Sequence, residues 1–185
     1  MKRQIRSSVF ETNSSSTHSI AITKNPVVIG KYVYFGIGEY GWENDCVNPA
    51  SYLYTAILYV YSPEVVEEKI KYLKRALDKY DVSYEFEEPK YWIGSSGHAY
   101  LDNGYVDHGN ELCEFFETIF SNEDLLMRYL FGAFVYTGND NQDDCPSGCN
   151  IADKYIWEEN ENGEYVEILN PYHDDENYEY FYKGN

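Results

Sequence analysis

The sequence predicts a single α+β domain, in which a mixed or antiparallel sheet packs on helices and an acidic hairpin lies towards the C-terminal end. Three observations support this prediction. Strand-like and helix-like runs come in blocks rather than in strict strand–helix alternation. The 185 residues suit one domain, and 43% of them are hydrophobic. No linker or repeat divides residues 1–185, although about 141–185 form an acidic, tyrosine-rich portion.

The N-terminal part predicts a small β meander. The runs "QIRSSVF" and "HSIAITK" alternate apolar and polar residues, and "VVIGKYVYFG" adds a third strand-like run. A later buried strand, "AFVYT", follows Gly132. We expect these strands to share one sheet.

Helices are predicted from Pro49 to Asp78 and from Asn110 to Phe131. The pairs Asn48-Pro49 and Ser62-Pro63 each combine an N-cap residue with a first-turn proline. Asn110 is predicted to cap "ELCEFFETIF", and Asn122 or Ser121 to cap "EDLLMRYLF". Apolar spacing on these helices and on "AFVYT" predicts that the core includes Val66, Ile70, Leu73, Leu77, Leu112, Phe116, Ile119, Leu126, Leu130 and Phe134.

Shorter signals complete the prediction. The run "VSYEF" alternates as a strand, whereas "GSSGHAYLDNG" and "GNDNQDDCPSGCN" have the composition of loops. The runs "KYIW" and "EYVEIL" flank "EENENG" and indicate a β-hairpin with an acidic loop.

The charge is strongly acidic, with a formal net charge of −18. Residues 141–185 hold twelve acids and two lysines. Such a field repels nucleic acid phosphates over about 8 Å at physiological salt, so direct duplex binding is disfavoured and a basic protein surface is the natural partner. The alternative interpretation is that the acidity only keeps the protein in solution.

The N-terminal run "MKRQIRSSVFE" lacks the apolar segment of a signal peptide, and no run approaches the ~20 apolar residues of a membrane span. We therefore expect a cytoplasmic protein with reduced thiols. Cys145 and Cys149 have a spacing compatible with zinc, but a tetrahedral site needs two more ligands from Cys46, Cys113, His98 or His173. Two free loop thiols are the preferred interpretation.

Three polar loops carry the candidate chemistry. They contain, in order, Ser14, Ser15, Ser16, Thr17 and His18; Asp107 and His108; and Asn139, Asp140 and Asn141. We hypothesise that His18, Asp107, His108 and Asp140 line one cleft with residues 14–17 as its floor, which would suit a divalent metal or general acid–base chemistry. The alternative is that these runs are turns and helix caps. P-loop and dinucleotide motifs are absent, and no strand–turn–helix elbow supports a serine nucleophile.

Three segments, "VFETNSSSTHSI", "YVDHGN" and "VYTGNDN", resemble small, largely uncharacterised proteins of bacteriophages and prophages of Gram-positive hosts. The resemblance covers about a fifth of the chain and brings no established activity. It implies that the three loops belong to one framework and that the protein is a viral accessory product.

Together these observations predict a phage-encoded inhibitor of the anti-CRISPR or anti-restriction type. Its acidic surface would bind the basic nucleic-acid-binding groove of a host defence protein. The tail residues expected to make that contact are Asp174, Asp175, Glu176, Tyr178, Glu179 and Tyr180. The alternative is a metal-dependent phosphoesterase or nucleotide hydrolase with its His/Asp site beside the serine-rich loop, and a divalent metal is the one cofactor indicated.

Overall fold

The computed structural model describes residues 16–42, 45–95, 97, 99–139 and 151–184. Within them, twelve strands and four α-helices follow one another, with a 3-10 helix at Gly109–Leu112. The strands are β1 (Ser16–Thr23), β2 (Tyr32–Phe35), β3 (Glu39–Tyr40), β4 (Asp45–Cys46), β5 (Ser83–Phe86), β6 (Tyr91–Ile93), β7 (Ala99–Leu101), β8 (Tyr105–Val106), β9 (Ala133–Asn139), β10 (Tyr155–Glu159), β11 (Tyr165–Leu169) and β12 (Tyr178–Gly184). The helices are α1 (Pro49–Val60), α2 (Pro63–Lys79), α3 (Cys113–Phe120) and α4 (Glu123–Gly132).

The main sheet has four strands in the order β12-β1-β9-β4, and each neighbouring pair is antiparallel. Strand β1 pairs with β9 along seven consecutive residues, from Ser16 opposite Asn139 to Ile22 opposite Ala133. Its pairing with β12 shifts register between Ile20 and Ile22, near Tyr180, which has a left-handed φ of 55°. The prediction that an N-terminal strand shares a sheet with "AFVYT" is confirmed by the β1–β9 ladder.

Helix α1 fills the centre of the molecule because its mixed tyrosine and aliphatic sequence is apolar on most sides. Tyr52, Leu53 and Ile57 are fully buried, and the buried apolar side chains of the helices and the main sheet form one cluster. The Asn48 side chain caps α1, as predicted, by accepting hydrogen bonds from the next turn's amides at 3.0 and 3.1 Å. Asn122 caps α4 in the same way. The predicted α+β class is confirmed.

The prediction that all N-terminal strands share one sheet is wrong for β2. It pairs in parallel with β5 in a separate two-stranded sheet. The reason lies in its side chains, since Phe35 stacks on Phe86 with ring centroids 4.4 Å apart and meets Tyr54 of α1 edge-on. The predicted strand "QIRSSVF" lies outside the described residues.

Asn110 is not the cap of α3 but lies inside the 3-10 helix that precedes it. That turn begins after His108, whose left-handed backbone (φ 53°) redirects the chain. Three predicted core residues, Val66, Ile70 and Phe134, are only half-buried. On helix α2 the buried residues are Lys69, Leu73, Ala76 and Leu77, so the buried stripe does not include Val66 and Ile70. Phe134 lies opposite Ala21 on the sheet face away from α1. The other seven predicted core residues are buried.

Six strands were missed, namely the short β3, β4, β6, β7 and β8 and the longer β12. The loop-like run "GSSGHAYLDNG" contains β7, which pairs with β6, and the acidic tail contains β12. The predicted acidic hairpin is present as β10 and β11, paired from Tyr155 opposite Leu169 to Glu159 opposite Tyr165. No helix in the described part of the chain combines the length and the apolar run that a bilayer crossing requires.

Candidate functional site

The polar residues at the start of β1 extend the face of the main sheet that packs on α1. Because side chains alternate along a strand, Ser16 and His18 share the face of Ile20 and Ile22, which belong to the hydrophobic cluster. On β9, the buried Thr137 lies directly opposite His18. The apolar core therefore ends in a buried polar patch.

His18 is held by two hydrogen bonds. Its Nε2 lies 2.7 Å from the carbonyl oxygen of Asp107, and its Nδ1 lies 2.9 Å from the hydroxyl of Tyr52 on α1. A carbonyl only accepts, so Nε2 carries the proton and donates, while Nδ1 accepts from the Tyr52 hydroxyl. Both ring nitrogens are thereby occupied, and His18 in this arrangement has no free lone pair for a metal or for proton abstraction.

The surroundings keep His18 neutral. The side chain is 1% exposed, and burial lowers its pKa from 6.5 to about 4, although the hydrogen bond to Asp107 partly opposes this shift. Burial also raises the pKa of Tyr52 well above its usual value, so the phenol keeps its proton. The pair therefore joins strand β1, helix α1 and the Asp107 turn through neutral groups.

Gly41 brings the next loop against this patch. Its φ of 126° favours glycine, and a Cβ built on it would lie 2.7 Å from the Cβ of Asp107 and 3.1 Å from the Cβ of Ser16. The Asp107 amide also donates to the carbonyl of Tyr40 at 2.9 Å. Ser16 and Asp107 therefore lie beside each other around Gly41.

Within the described ranges, four buried side-chain polar atoms have no hydrogen-bond partner. They are Ser16 Oγ, Thr17 Oγ1, Asp107 Oδ2 and Tyr129 Oη. Leaving such an atom without a partner costs about 1–3 kcal/mol. Ser16 and Asp107 are neighbours at the patch, whereas Thr17, which was predicted on the floor of the same cleft, lies on the opposite face of the sheet. The pair offers a hydroxyl and a carboxylate oxygen to a polar group.

The structure brings together His18, Asp107 and Ser16 of the predicted cleft. His108 is exposed, and its Nδ1 lies 3.6 Å from a carboxylate oxygen of Glu111. Ser14, Ser15 and Asp140 lie outside the described residues, as do Cys145 and Cys149 of the zinc hypothesis. Among the residues that are described, no group of three or more His, Cys, Asp or Glu side chains is placed to hold a metal ion.

The predicted tail contacts are largely made within the molecule. The Asp174 carboxylate accepts from the amides of Glu176 and Asn177, and Glu179 contacts Arg128 of α4 at 2.5 Å. The carbonyl of Asp175 accepts from Lys24. The remaining tail residues are half-buried Tyr178, exposed Glu176, and Tyr180, whose ring centroid lies 6.0 Å from the Arg128 guanidinium.

A different acidic surface faces solvent. One side of the β10–β11 hairpin, here called the hairpin face, consists of Tyr155, Trp157, Glu159, Tyr165, Glu167 and Leu169. All six are exposed, and Trp157 is 66% exposed. The runs "KYIW" and "EYVEIL" on either side of a polar turn predicted the hairpin, but they do not show which side of it is left uncovered.

Comparison with known proteins gives no assignment for this arrangement. The chain matches no protein-family model, no curated protein sequence and no solved structure.

Proposed function

We propose that this protein is a phage-encoded, non-enzymatic inhibitor that acts in the cytoplasm of a bacterial host. It binds the basic nucleic-acid-binding groove of a host defence protein through the hairpin face. The observation that carries the proposal is the exposure of four large aromatic or aliphatic side chains on a face that also presents Glu159 and Glu167. Aromatic anchors among charges are typical of protein interfaces.

The distribution of ion pairs supports this choice of surface. Most cations of the described chain contact acids elsewhere, in pairs such as Lys69–Glu117, Lys79–Glu123 and Arg128–Glu179. In the part of the chain that the structure describes, no ion pair includes an acid of β10 or β11. The carboxylates of the hairpin face are therefore available to a basic partner.

The partner's chemistry follows from the face. An acidic field attracts a Lys/Arg-lined groove, and Trp157, Tyr155 and Tyr165 offer ring faces on which guanidinium groups stack. A groove that grips nucleic acid has this composition, because it neutralises phosphates. Occupying it excludes the nucleic acid.

The test is capture of the partner from host extract on the immobilised protein, with duplex DNA as competitor. The double variant Glu159→Gln/Glu167→Gln is compared with Glu68→Gln/Glu88→Gln, which removes the same charge from exposed sites elsewhere. We expect the hairpin variant to weaken capture at least about tenfold, and Trp157→Ala about 30-fold, as for interface hot spots. High salt and DNA should both release the partner.

Equal weakening by the two double variants would show that only net charge matters and would contradict the proposal. Capture that DNA does not reduce would contradict the assignment of a nucleic-acid-binding groove. Circular dichroism of each variant checks that the hairpin remains folded.

A second candidate is the metal-dependent phosphoesterase or nucleotide hydrolase. Ser16 and Asp107 are neighbours around Gly41, and each has a buried oxygen with no partner; this favours the second candidate, because a catalytic role is one explanation for an unsatisfied buried polar atom. With both ring nitrogens of His18 engaged, its role in this candidate is positioning of the Asp107 turn. Thermal unfolding with Mn²⁺ or Zn²⁺ tests it: a metal at 100 times its dissociation constant adds about 2.7 kcal/mol, and Asp107→Asn should abolish the gain. Absence of any metal-dependent shift would contradict this candidate.

A further inference from the structure

A groove of about 450 Å³ lies between the end of α1, the start of α2 and the β6–β7 hairpin. Its volume is within the ~300–1,000 Å³ common for small-molecule sites. Four tyrosines, Tyr59, Tyr61, Tyr91 and Tyr100, contribute to its walls, and Val66 is among the aliphatic residues between them. The half-burial of Val66, which the helical pattern placed in the core, is explained by its position in this groove.

In the described part of the chain, the residues that line the groove carry a single charge, which is negative. Glu67 is the one charged residue among the described residues that line it. Its carboxylate lies 2.7 Å from Lys71 one turn later, and both side chains are largely exposed, so this surface pair is weak and exchangeable. Burial raises the pKa of Tyr91, so this phenol stays neutral in the groove at physiological pH. An incoming cation therefore meets tyrosine rings and one carboxylate.

The same part of the fold already places a cation on aromatic rings. The Nζ of Lys69 lies 4.8 Å from the ring centroid of Tyr61 and 4.5 Å from that of Phe120. The ammonium group is also paired with Glu117 at 2.6 Å. This arrangement of aromatic rings with one carboxylate holds a buried lysine. Tyr61 is shared with the groove, where Tyr59, Tyr91 and Tyr100 with Glu67 repeat the composition on a surface open to ligands.

We propose that this groove binds a small organic cation whose charge is shielded by methyl groups, such as a quaternary ammonium group attached to an apolar body. Aromatic cages recognise such cations through the negative face of the rings. A quaternary ammonium carries no N–H donors, so a mostly apolar wall leaves none of its groups unsatisfied. Lysine and arginine side chains would need several acceptors, whereas Glu67 supplies one carboxylate. The volume beyond the ammonium group accommodates the apolar body.

The experiment uses three probes of similar shape: benzyltrimethylammonium, neutral benzyl alcohol and anionic phenylmethanesulfonate. Binding to the full chain is followed by NMR titration of the tyrosine ring signals. We expect saturable binding of the cation, at least about tenfold weaker binding of the neutral probe and no binding of the anion. Affinity for the cation should fall about tenfold in Tyr91→Leu, which keeps apolar volume but removes the ring face.

Glu67→Gln and Glu68→Gln form the matched pair of charge variants. Both residues are exposed on α2, so neither change should unfold the protein, but only Glu67 lines the groove. We expect Glu67→Gln alone to weaken cation binding severalfold. Equal affinity for cation and neutral probe, equal effects of the two glutamate variants, or no saturable binding of the cation would each overturn the proposal.

Discussion

Two acidic, tyrosine-rich segments near the C-terminal end differ in whether their side chains contact the rest of the protein or face solvent. In the tail segment, residues 173–184, the acids form turn contacts and ion pairs, and strand β12 joins the main sheet beside β1. In the β10–β11 hairpin, the acids and aromatics of one face remain exposed. The compositions are similar, so composition does not decide which segment becomes a surface for partners. Strand pairing and the position of Arg128 decide it.

Substitutions in the two segments should therefore change different properties of the protein. Contacts of the tail segment hold the sheet edge, so changes there should alter the free energy of unfolding. The hairpin face contacts little of the rest of the molecule, so changes there should alter partner binding and leave stability nearly unchanged.

The largest expected effect concerns His18 on β1, the strand to which the tail segment pairs. Its folded-state pKa of about 4 lies below its unfolded value of 6.5, so the unfolded chain takes up a proton first as the pH falls. The stabilisation that neutral His18 supports is complete above about pH 6.5 and is lost as the pH falls towards 4. We expect a loss of about 3 kcal/mol over this range, measured by urea unfolding at several pH values.

The control for this measurement is His18→Asn, which removes the titrating group. The variant should be less stable at pH 7, because Tyr52 and the Asp107 carbonyl lose their partner, but its stability should fall less between pH 6.5 and 4. Identical pH slopes for the two proteins would contradict a buried, neutral His18.

A smaller effect is expected from one glutamate in each acidic segment. Glu179→Gln weakens the contact with Arg128, whose side chain is 14% exposed, and should reduce the free energy of unfolding by about 1–3 kcal/mol. Glu167→Gln on the hairpin face should change it by less than about 0.5 kcal/mol. Chemical unfolding of both variants gives the comparison. Equal effects would mean that the hairpin face is as much a part of the stabilising structure as the tail segment.

The smallest global effect is expected at the turn of the hairpin. Asn160 Oδ1 accepts from the amides of Asn162 and Glu164 at 2.9 and 3.0 Å, so Asn160→Ala removes the side chain that shapes the turn. Global stability should change by less than about 0.5 kcal/mol, while amide hydrogen exchange in β10 and β11 should accelerate and that in β1 should not. Faster exchange in β1 would show that the hairpin and the main sheet open together.

Features determined by neighbouring residues were predictable from the sequence. Asn48 and Asn122 cap their helices because an asparagine side chain reaches amides two and three residues later. The β10–β11 hairpin follows from two runs rich in aromatic and β-branched residues on either side of one polar turn. The α+β class follows from the order of such local signals.

Features determined by contacts between residues far apart in the sequence were not predictable. The tail has the composition of an acidic run, and nothing local in it specifies pairing with β1, which is at the other end of the described chain. The pairing also shifts register near Tyr180. The sequence likewise placed His18 and Asp107 at one site but could not identify the contact as one with a backbone carbonyl. A side chain's partner atom depends on backbone geometry that neither residue specifies alone.

The position of β12 beside β1 has a consequence for synthesis on the ribosome. At about 5–20 residues per second, β1 emerges well before β9 and is completed on its other edge only when β12 has been translated. Until then the growing chain can assemble its helices while one edge of β1 presents unpaired amides and carbonyls, a surface that invites association with other nascent chains. Chaperones that bind extended segments would find their substrate here, and release from them would await the synthesis of β12.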